Sequence, residues 1–273
     1  VLSADVLFPM LWGWVLSRML KAIFFDIDGT LYSHRTNRVP ESCQKAFALL
    51  HKKKILTIAC TGRHVLELEE LKIHDYLDFD AYITLNGQYC YNDQGLIYDL
   101  PIDPQDVDLV IQDAAKKHYP VIFVERDKMY INMRNDYVKK VQDDIHSSIP
   151  PLGKLSNENK IYQMIPYLPS SKDYIDLPHC AKNIWHPGAF DLIPKQGGKD
   201  QGIKEVLKYY HISTDEIMAF GDAANDISML EYANIGIAMG NASDEVKKHA
   251  DFVTTDIDDD GIYNALKYFQ IID

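Results

Sequence analysis

The sequence has few of the features that mark specialised protein classes. It carries no basic stripe: 28 Lys+Arg stand against 40 Asp+Glu, a formal net charge of −12, which repels a polyphosphate backbone and argues against nucleic acid as a partner. It has only 4 cysteines, at Cys43, Cys60, Cys90 and Cys180, with no Cys-x-x-Cys pair and no zinc-finger spacing to histidine. A reduced, cytoplasmic protein with structural thiols is expected, and Cys60 is of interest only because it adjoins a motif described below. No apolar run is long enough to span a bilayer. The uncharged stretch Val6 to Leu16 is too short, is broken by Pro9 and Gly13, and lacks the basic residues that precede a signal-peptide core. No repeat of 20 to 50 residues, which would indicate a solenoid, is present.

What remains is an ordinary globular composition, 47% hydrophobic and 25% charged, in a chain of 273 residues. Met19-Leu20-Lys21 directly precedes a strong apolar strand, so Met19 is expected to be the natural start and residues 1–18 a leader or an artefact. Short apolar runs then alternate with helical periodicity. Ala22 to Phe25, Ile55 to Ala59 and Ala81 to Leu85 read as buried parallel strands, and Glu41 to Lys53 and His64 to Leu71 as helices between them. This is the rhythm of a doubly wound α/β sheet.

From about Gln88 the pattern changes. Asn92-Asp93-Gln94-Gly95 signals a hairpin between Tyr89 to Tyr91 and Leu96 to Leu100. Helices over Pro104 to His118 and Tyr137 to Ile145 follow, with strands over Val121 to Glu125, Met129 to Met133 and Ile161 to Ile165. The βα rhythm resumes near Phe190, with a helix from Gly202 to Tyr210, strands at Ile217 to Phe220 and Ile235 to Ala238, and helices at Ile227 to Tyr232 and Gly261 to Phe269. The expected organisation is a discontinuous core, residues 19–87 and 188–273, holding an inserted α+β cap, residues 88–187.

Candidate chemistry lies at the carboxyl ends of core strands, where open parallel sheets bind ligands. Asp26-Ile27-Asp28-Gly29-Thr30-Leu31 follows the first strand, and Gly29 permits the turn that brings both carboxylates to one pocket. A calcium loop of the EF-hand type is excluded because no closing Glu falls at the required spacing. The second strand ends in Thr61-Gly62-Arg63, a hydroxyl and a free backbone N–H suited to an anionic oxygen. A later strand leads to Gly221-Asp222-Ala223-Ala224-Asn225-Asp226. Four carboxylates in one pocket, Asp26, Asp28, Asp222 and Asp226, would repel unless a cation sat among them, and hard oxygen ligands select Mg²⁺. Lys199, ahead of a helix, offers a fixed positive charge for phosphate.

Together these residues resemble the haloacid dehalogenase (HAD) superfamily, and within it the Cof-type sugar phosphatases with an inserted type IIB cap. The resemblance runs from Met19 to the C-terminus and rests on four motifs in the family's order: Asp26-x-Asp28-Gly29-Thr30-Leu31, Thr61-Gly62-Arg63, Lys199, and Gly221-Asp222-x-x-Asn225-Asp226. It implies a Mg²⁺-dependent phosphatase acting on small phosphorylated metabolites, most simply sugar phosphates. Asp26 would be the nucleophile and Asp28 the general acid and base. Asp26, the Asp28 carbonyl, Asp222 and Asp226 would hold the metal, and Thr61, Gly62, Lys199 and Asn225 the phosphoryl oxygens. Neither a membrane nor nucleic acid is an expected partner, and a monomer or weak homodimer is expected. A phosphomutase, or a catalytically weak phosphosugar-binding regulator, is the alternative on the same scaffold. A response-regulator receiver is a third reading, which length and the inserted cap argue against.

Three departures from the family pattern stand out. Ala223 replaces a glycine, which is harmless unless the backbone there needs positive φ. His64 stands in place of a common proline, and Lys199 is followed by Asp200-Gln201-Gly202 rather than by an immediate glycine. Within the cap, Tyr130, Asn132, Tyr162, Trp185 and His186 are candidates for sugar contacts.

Overall fold

The computed structural model describes residues 19–144, 147–170 and 174–273. The expected leader, residues 1–18, lies outside them, as does the side chain of Trp185. In chain order the strands are β1 (Ala22–Phe25), β2 (Leu56–Cys60), β3 (Ala81–Thr84), β4 (Tyr89–Asn92), β5 (Gly95–Asp99), β6 (Val121–Val124), β7 (Met129–Ile131), β8 (Gln163–Pro166), β9 (Cys180–His186), β10 (Ala189–Pro194), β11 (Ile217–Gly221), β12 (Ile235–Ala238) and β13 (Phe252–Val253).

The first unit holds an eight-stranded sheet in the order β13-β12-β11-β1-β2-β3-β4-β5. Its central strands run parallel and its β3–β4 pair antiparallel. All four residues of β1, Ala-Ile-Phe-Phe, are buried, because helices cover both faces and leave no polar side for an alternating pattern. Phe25 stacks on Phe220 with centroids 5.2 Å apart and lies 4.9 Å from Phe47, so the helix Glu41–Lys52 is fastened to the centre of the sheet. Register matters more for function. Phe25 is level with Ala59 on β2 and with Phe220 on β11, so the next few residues of all three strands emerge side by side at one sheet edge.

The second unit is a five-stranded sheet, β7-β6-β8-β10-β9, paired antiparallel throughout. It carries the helices Pro104–Lys117 and Asp136–Asp144. Asp103 caps the first of these by accepting the Gln105 N–H at 2.8 Å, and His118 ends it in the left-handed conformation.

The boundaries between units differ from the expected ones. The first unit comprises residues up to Arg63, Glu67–Tyr98 and Gly198–Asp273, and the second Asp99–Gly197 with His64–Leu66. The hairpin β4–β5 extends the core sheet through the pairing of β3 with β4, so the core keeps residues beyond 87. Conversely β10, where the core was expected to resume, pairs antiparallel with β8 and β9. Among the described residues no helix is long and apolar enough to cross a membrane. All four cysteines are buried free thiols.

Candidate active site

The aligned strand tips deliver the motifs to one place. Asp26 follows β1, only 4% exposed, with its N–H donated to the Phe220 carbonyl at 3.0 Å. The chain then turns at Gly29, whose φ of +81° favours glycine, and a Cβ there would collide with the Asp222 carboxylate. That close approach lets Thr30 Oγ1 donate to Asp222 Oδ1 at 2.9 Å, which ties the first motif to the last. Asp226 lies at the end of a short 3₁₀ turn after β11, and its Oδ2 accepts the N–H groups of Asp222 and Ala223 at 3.0 and 2.9 Å. Ala223 itself has φ −114° and ψ 167°, an extended conformation open to any residue, so the alanine is not strained.

Lys199 opens the helix Lys199–Tyr210, three residues earlier than the sequence pattern suggests, and its ammonium is buried. It donates to Asp26 Oδ1 at 2.6 Å, to Asp226 Oδ1 at 2.5 Å and to the Cys60 carbonyl at 2.7 Å, using all three of its hydrogens. Burial alone would lower its pKa, but Asp226 and Asp26 outweigh burial and raise it, so the side chain is a fixed cation. Cys60 thus contributes its backbone oxygen, while burial pushes its thiol up and leaves it an unreactive filler.

One oxygen from each of Asp26, Asp222 and Asp226 falls within a 4.8 Å cluster. Burial and the charge of Asp226 raise the pKa of Asp26 despite Lys199. Burial, opposed by the Thr30 hydrogen bond and reinforced by Asp226, pushes Asp222 up to about 6. Three carboxylates against one ammonium leave two negative charges uncompensated, the charge of one divalent cation, and the all-oxygen donor set suits Mg²⁺. The residues present therefore fit such an ion.

Asp28 is not part of that cluster. Its carboxylate is gripped by Arg63, Nε to Oδ2 at 2.6 Å and the terminal nitrogen to Oδ1 at 2.7 Å, and His34 Nε2 lies 2.7 Å from Oδ1. Burial opposes ionisation of Asp28, but Arg63 and His34 together hold its pKa below the usual value. Arg63 was part of a recognised motif, yet its partner could not be read from the sequence.

Thr61 is buried, and its Oγ1 accepts the Arg63 N–H at 3.1 Å. Asn225 Nδ2 donates to Asn86 Oδ1 at 3.1 Å, and the Asn86 carboxamide lies beside Gly62. Asn241, after β12, donates to the Gly29 carbonyl at 2.8 Å and accepts the Ile257 N–H at 3.0 Å, with its Nδ2 also 3.4 Å from Asp222 Oδ2. Neither Asn86 nor Asn241 was singled out in the sequence. The available signal was position, since each closely follows a core strand.

Several cap candidates have structural duties. Asn132 takes the Val121 N–H at 2.8 Å and gives its own to the Tyr119 carbonyl at 3.2 Å. Buried Tyr162 donates to Asp99 at 3.1 Å, and Tyr130 is buried too. His186 Nδ1 accepts the Gly188 N–H at 2.9 Å. His64 has both ring nitrogens engaged within the second unit, Nδ1 accepting from Leu66 N–H and Nε2 donating to the Glu125 carbonyl at 2.8 Å.

Comparison with known proteins converges on one family. The family model for haloacid dehalogenase-like hydrolases matches residues 23–266. YkrA of Bacillus subtilis, which bears a phosphatase's name, is 33% identical over 260 residues, covering 92% of this chain and 98% of its own. Among solved structures, the HAD subclass IIB sugar phosphatase BT4131 has a TM-score of 0.78 at 37% identity, over 92% of this chain and all of that one. BT1666 of Bacteroides thetaiotaomicron, a HAD phosphatase, has a TM-score of 0.85 at 32% identity, over 94% of this chain and 97% of its own.

Proposed function

This chain belongs to the haloacid dehalogenase-like hydrolase family, and from that premise we propose that it is a Mg²⁺-dependent cytoplasmic phosphatase of small phosphate monoesters, sugar phosphates foremost. The observation that carries the reading is Asp26, fixed at the tip of β1 by Lys199 with Asp222 and Asp226 around it. The sugar preference rests on the likeness to the subclass IIB sugar phosphatase.

In this reading Asp26, the Asp28 carbonyl, Asp222 and Asp226 hold the cation, which when bound shields the nucleophile from the charge of the incoming phosphate. Lys199 orients the Asp26 carboxylate by holding Oδ1. The other oxygen attacks phosphorus, a P–O bond to Asp26 forms, and the bond to the leaving alcohol breaks. Asp28, held ionised by Arg63 and His34 in the free enzyme, first takes up a proton from solvent and then gives it to the departing oxygen. It then takes a proton from water, whose oxygen attacks phosphorus and frees Asp26 and inorganic phosphate. Thr61, the Gly62 N–H and Asn225 hold the phosphoryl oxygens through these steps, and Lys199, whose three hydrogens go to Asp26, Asp226 and the Cys60 carbonyl, joins them by giving up one of those bonds. Because the Arg63 fork occupies the Asp28 carboxylate, Asp28 leaves at least one of these bonds before it meets the leaving group.

The test is phosphate release from sugar phosphates, nucleotides and an aryl phosphate, with Mg²⁺ and with chelator, beside Asp26→Asn. Metal-dependent release that vanishes in the variant is expected. Full activity in Asp26→Asn would refute the covalent route, and a phosphate moved to another hydroxyl of the same sugar would identify a mutase.

A further inference from the structure

Directly after β3 the chain runs through three successive left-handed residues, Leu85 at φ +53°, Asn86 at φ +54° and Gly87 at φ +91°. Glycine adopts this region freely and asparagine tolerates it, but for leucine it is strained. Such strain persists only where the surroundings over-determine it, and it gathers at functional sites. Here the surroundings are the Thr61-Gly62-Arg63 loop. Leu85 N–H donates to the Arg63 carbonyl at 3.1 Å and Asn86 N–H to the Thr61 carbonyl at 3.0 Å.

The strapped turn fixes the Asn86 side chain, which is 7% exposed. Its Oδ1 accepts from Asn225 Nδ2 at 3.1 Å, and a Cβ built on Gly62 would sit 3.1 Å from Oδ1 and 3.2 Å from Nδ2. The carboxamide therefore lies between the Gly62 backbone and Asn225, two of the groups assigned above to phosphoryl oxygens. With Oδ1 taken, the Nδ2 hydrogens have no partner among the described residues. A neutral donor suits this position, since a carboxylate would repel the phosphoryl group.

We propose that Asn86 is a further phosphoryl-binding residue, its Nδ2 donating to an oxygen of the transferring group beside the Gly62 N–H. The inference rests on the phosphatase reading. It predicts a donor in direct contact with substrate, so its loss acts on the phosphoryl group whatever alcohol is attached.

Two variants separate this role from loop strain. Asn86→Gly keeps the left-handed backbone and removes the carboxamide, and Asn86→Asp keeps its shape, also tolerates that conformation, and replaces the donor with a negative charge. The probe is inorganic phosphate, titrated calorimetrically with Mg²⁺ present, alongside kcat/KM for a sugar phosphate and an aryl phosphate. Removing one such donor is expected to weaken phosphate binding by about tenfold or more and to lower kcat/KM by about 10² on both esters alike. Asn86→Asp is expected to be worse than Asn86→Gly. Phosphate affinity and kcat/KM within about twofold of wild type in a folded variant would overturn the proposal. If the glycine variant fails to fold, the aspartate variant decides. A wild type that binds phosphate but cleaves no ester would sink the phosphatase reading while the binding comparison still judged Asn86. A wild type that does neither would sink both.

Discussion

Arg63 and Asp28 form a two-pronged ion pair, with both carboxylate oxygens engaged at 2.6 and 2.7 Å. An arginine fork matches a carboxylate in both geometry and charge, so the pair fixes the orientation of Asp28 as well as its ionisation. The residue two positions after the proposed nucleophile is thus held by the neighbouring strand tip. That arrangement sets what replacement of Arg63 should do.

Asp28 has a lowered pKa in the folded protein. A depressed carboxyl contributes stability above its unfolded pKa of about 3.9 and loses that contribution as pH falls through the lower folded value. Arg63→Met should therefore be less stable than wild type at pH 7, with the difference closing as pH falls below the unfolded value and through the lower folded one. The effect is modest because the two side chains are 25% and 33% exposed. Urea unfolding across pH measures it, and a gap that stays constant into acid would contradict the pairing.

Lys199 is the opposite case, a buried ammonium between two buried carboxylates. Replacing it with methionine leaves Asp26 and Asp226 without their counter-charge, a loss of about 3–5 kcal/mol for breaking a buried pair. The folded pKa of Lys199 is raised, so the lysine itself stays charged, and its contribution is present, below the unfolded value of about 10.4 for as long as its carboxylate partners are ionised. In Lys199→Met the deficit should shrink on acidification, because protonating Asp26 removes one of the charges left behind. Denaturant unfolding at neutral and mildly acidic pH gives the comparison, and a small, pH-independent loss would show that the carboxylates do not need the ammonium.

The parts of this design that were readable in the sequence share a cause. β1, β3, β11 and β12 are buried along their length, so each is a plain apolar run, and a candidate site motif follows β1, β2 and β11. What was missed depends on distant partners. β9 contains Lys182, Asn183 and His186 at the edge of its sheet, where a polar residue costs little, and β13 is only Phe252–Val253. β10 reads locally like a core strand, Ala-Phe-Asp-Leu-Ile-Pro, and only its register with β9 assigns it to the second sheet. Asn132 illustrates the converse. A polar residue beside a cap strand suggests a ligand contact, yet it closes backbone hydrogen bonds of its own sheet.

Asp222, raised to about 6, makes the proposed metal site sensitive to pH. Its folded pKa exceeds the unfolded one, so the native protein binds this proton more tightly, and without cation stability should fall as pH rises from about 4 through about 6. Ionised Asp222 is the form that can hold a cation, so Mg²⁺ affinity should rise over the same interval. Thermal unfolding with and without Mg²⁺ should therefore diverge as pH increases, with the stabilisation by Mg²⁺ small at pH 5 and large at pH 7. Equal stabilisation at both values would mean that Asp222 does not ligate the ion.

Gly87 tests how the turn that carries Asn86 is seated. Its φ is +91°, and an added Cβ would run into the carbonyl oxygen of Gly198, the residue just before Lys199. Gly95 is a matched control, with φ +125° and nothing within 4 Å of its Cβ position. Left-handed backbone alone costs alanine about 1–2 kcal/mol, so Gly95→Ala should lose roughly that much and keep its phosphate binding. Gly87→Ala carries the same backbone cost plus a clash with main chain that has no flexible end to move aside. It should lose more stability than Gly95→Ala and also weaken phosphate binding, because the displaced backbone positions both Asn86 and the helix start that carries Lys199. Equal losses in the two variants would mean that the contact with Gly198 does not hold the turn, and that Lys199 keeps its place through its three hydrogen bonds alone.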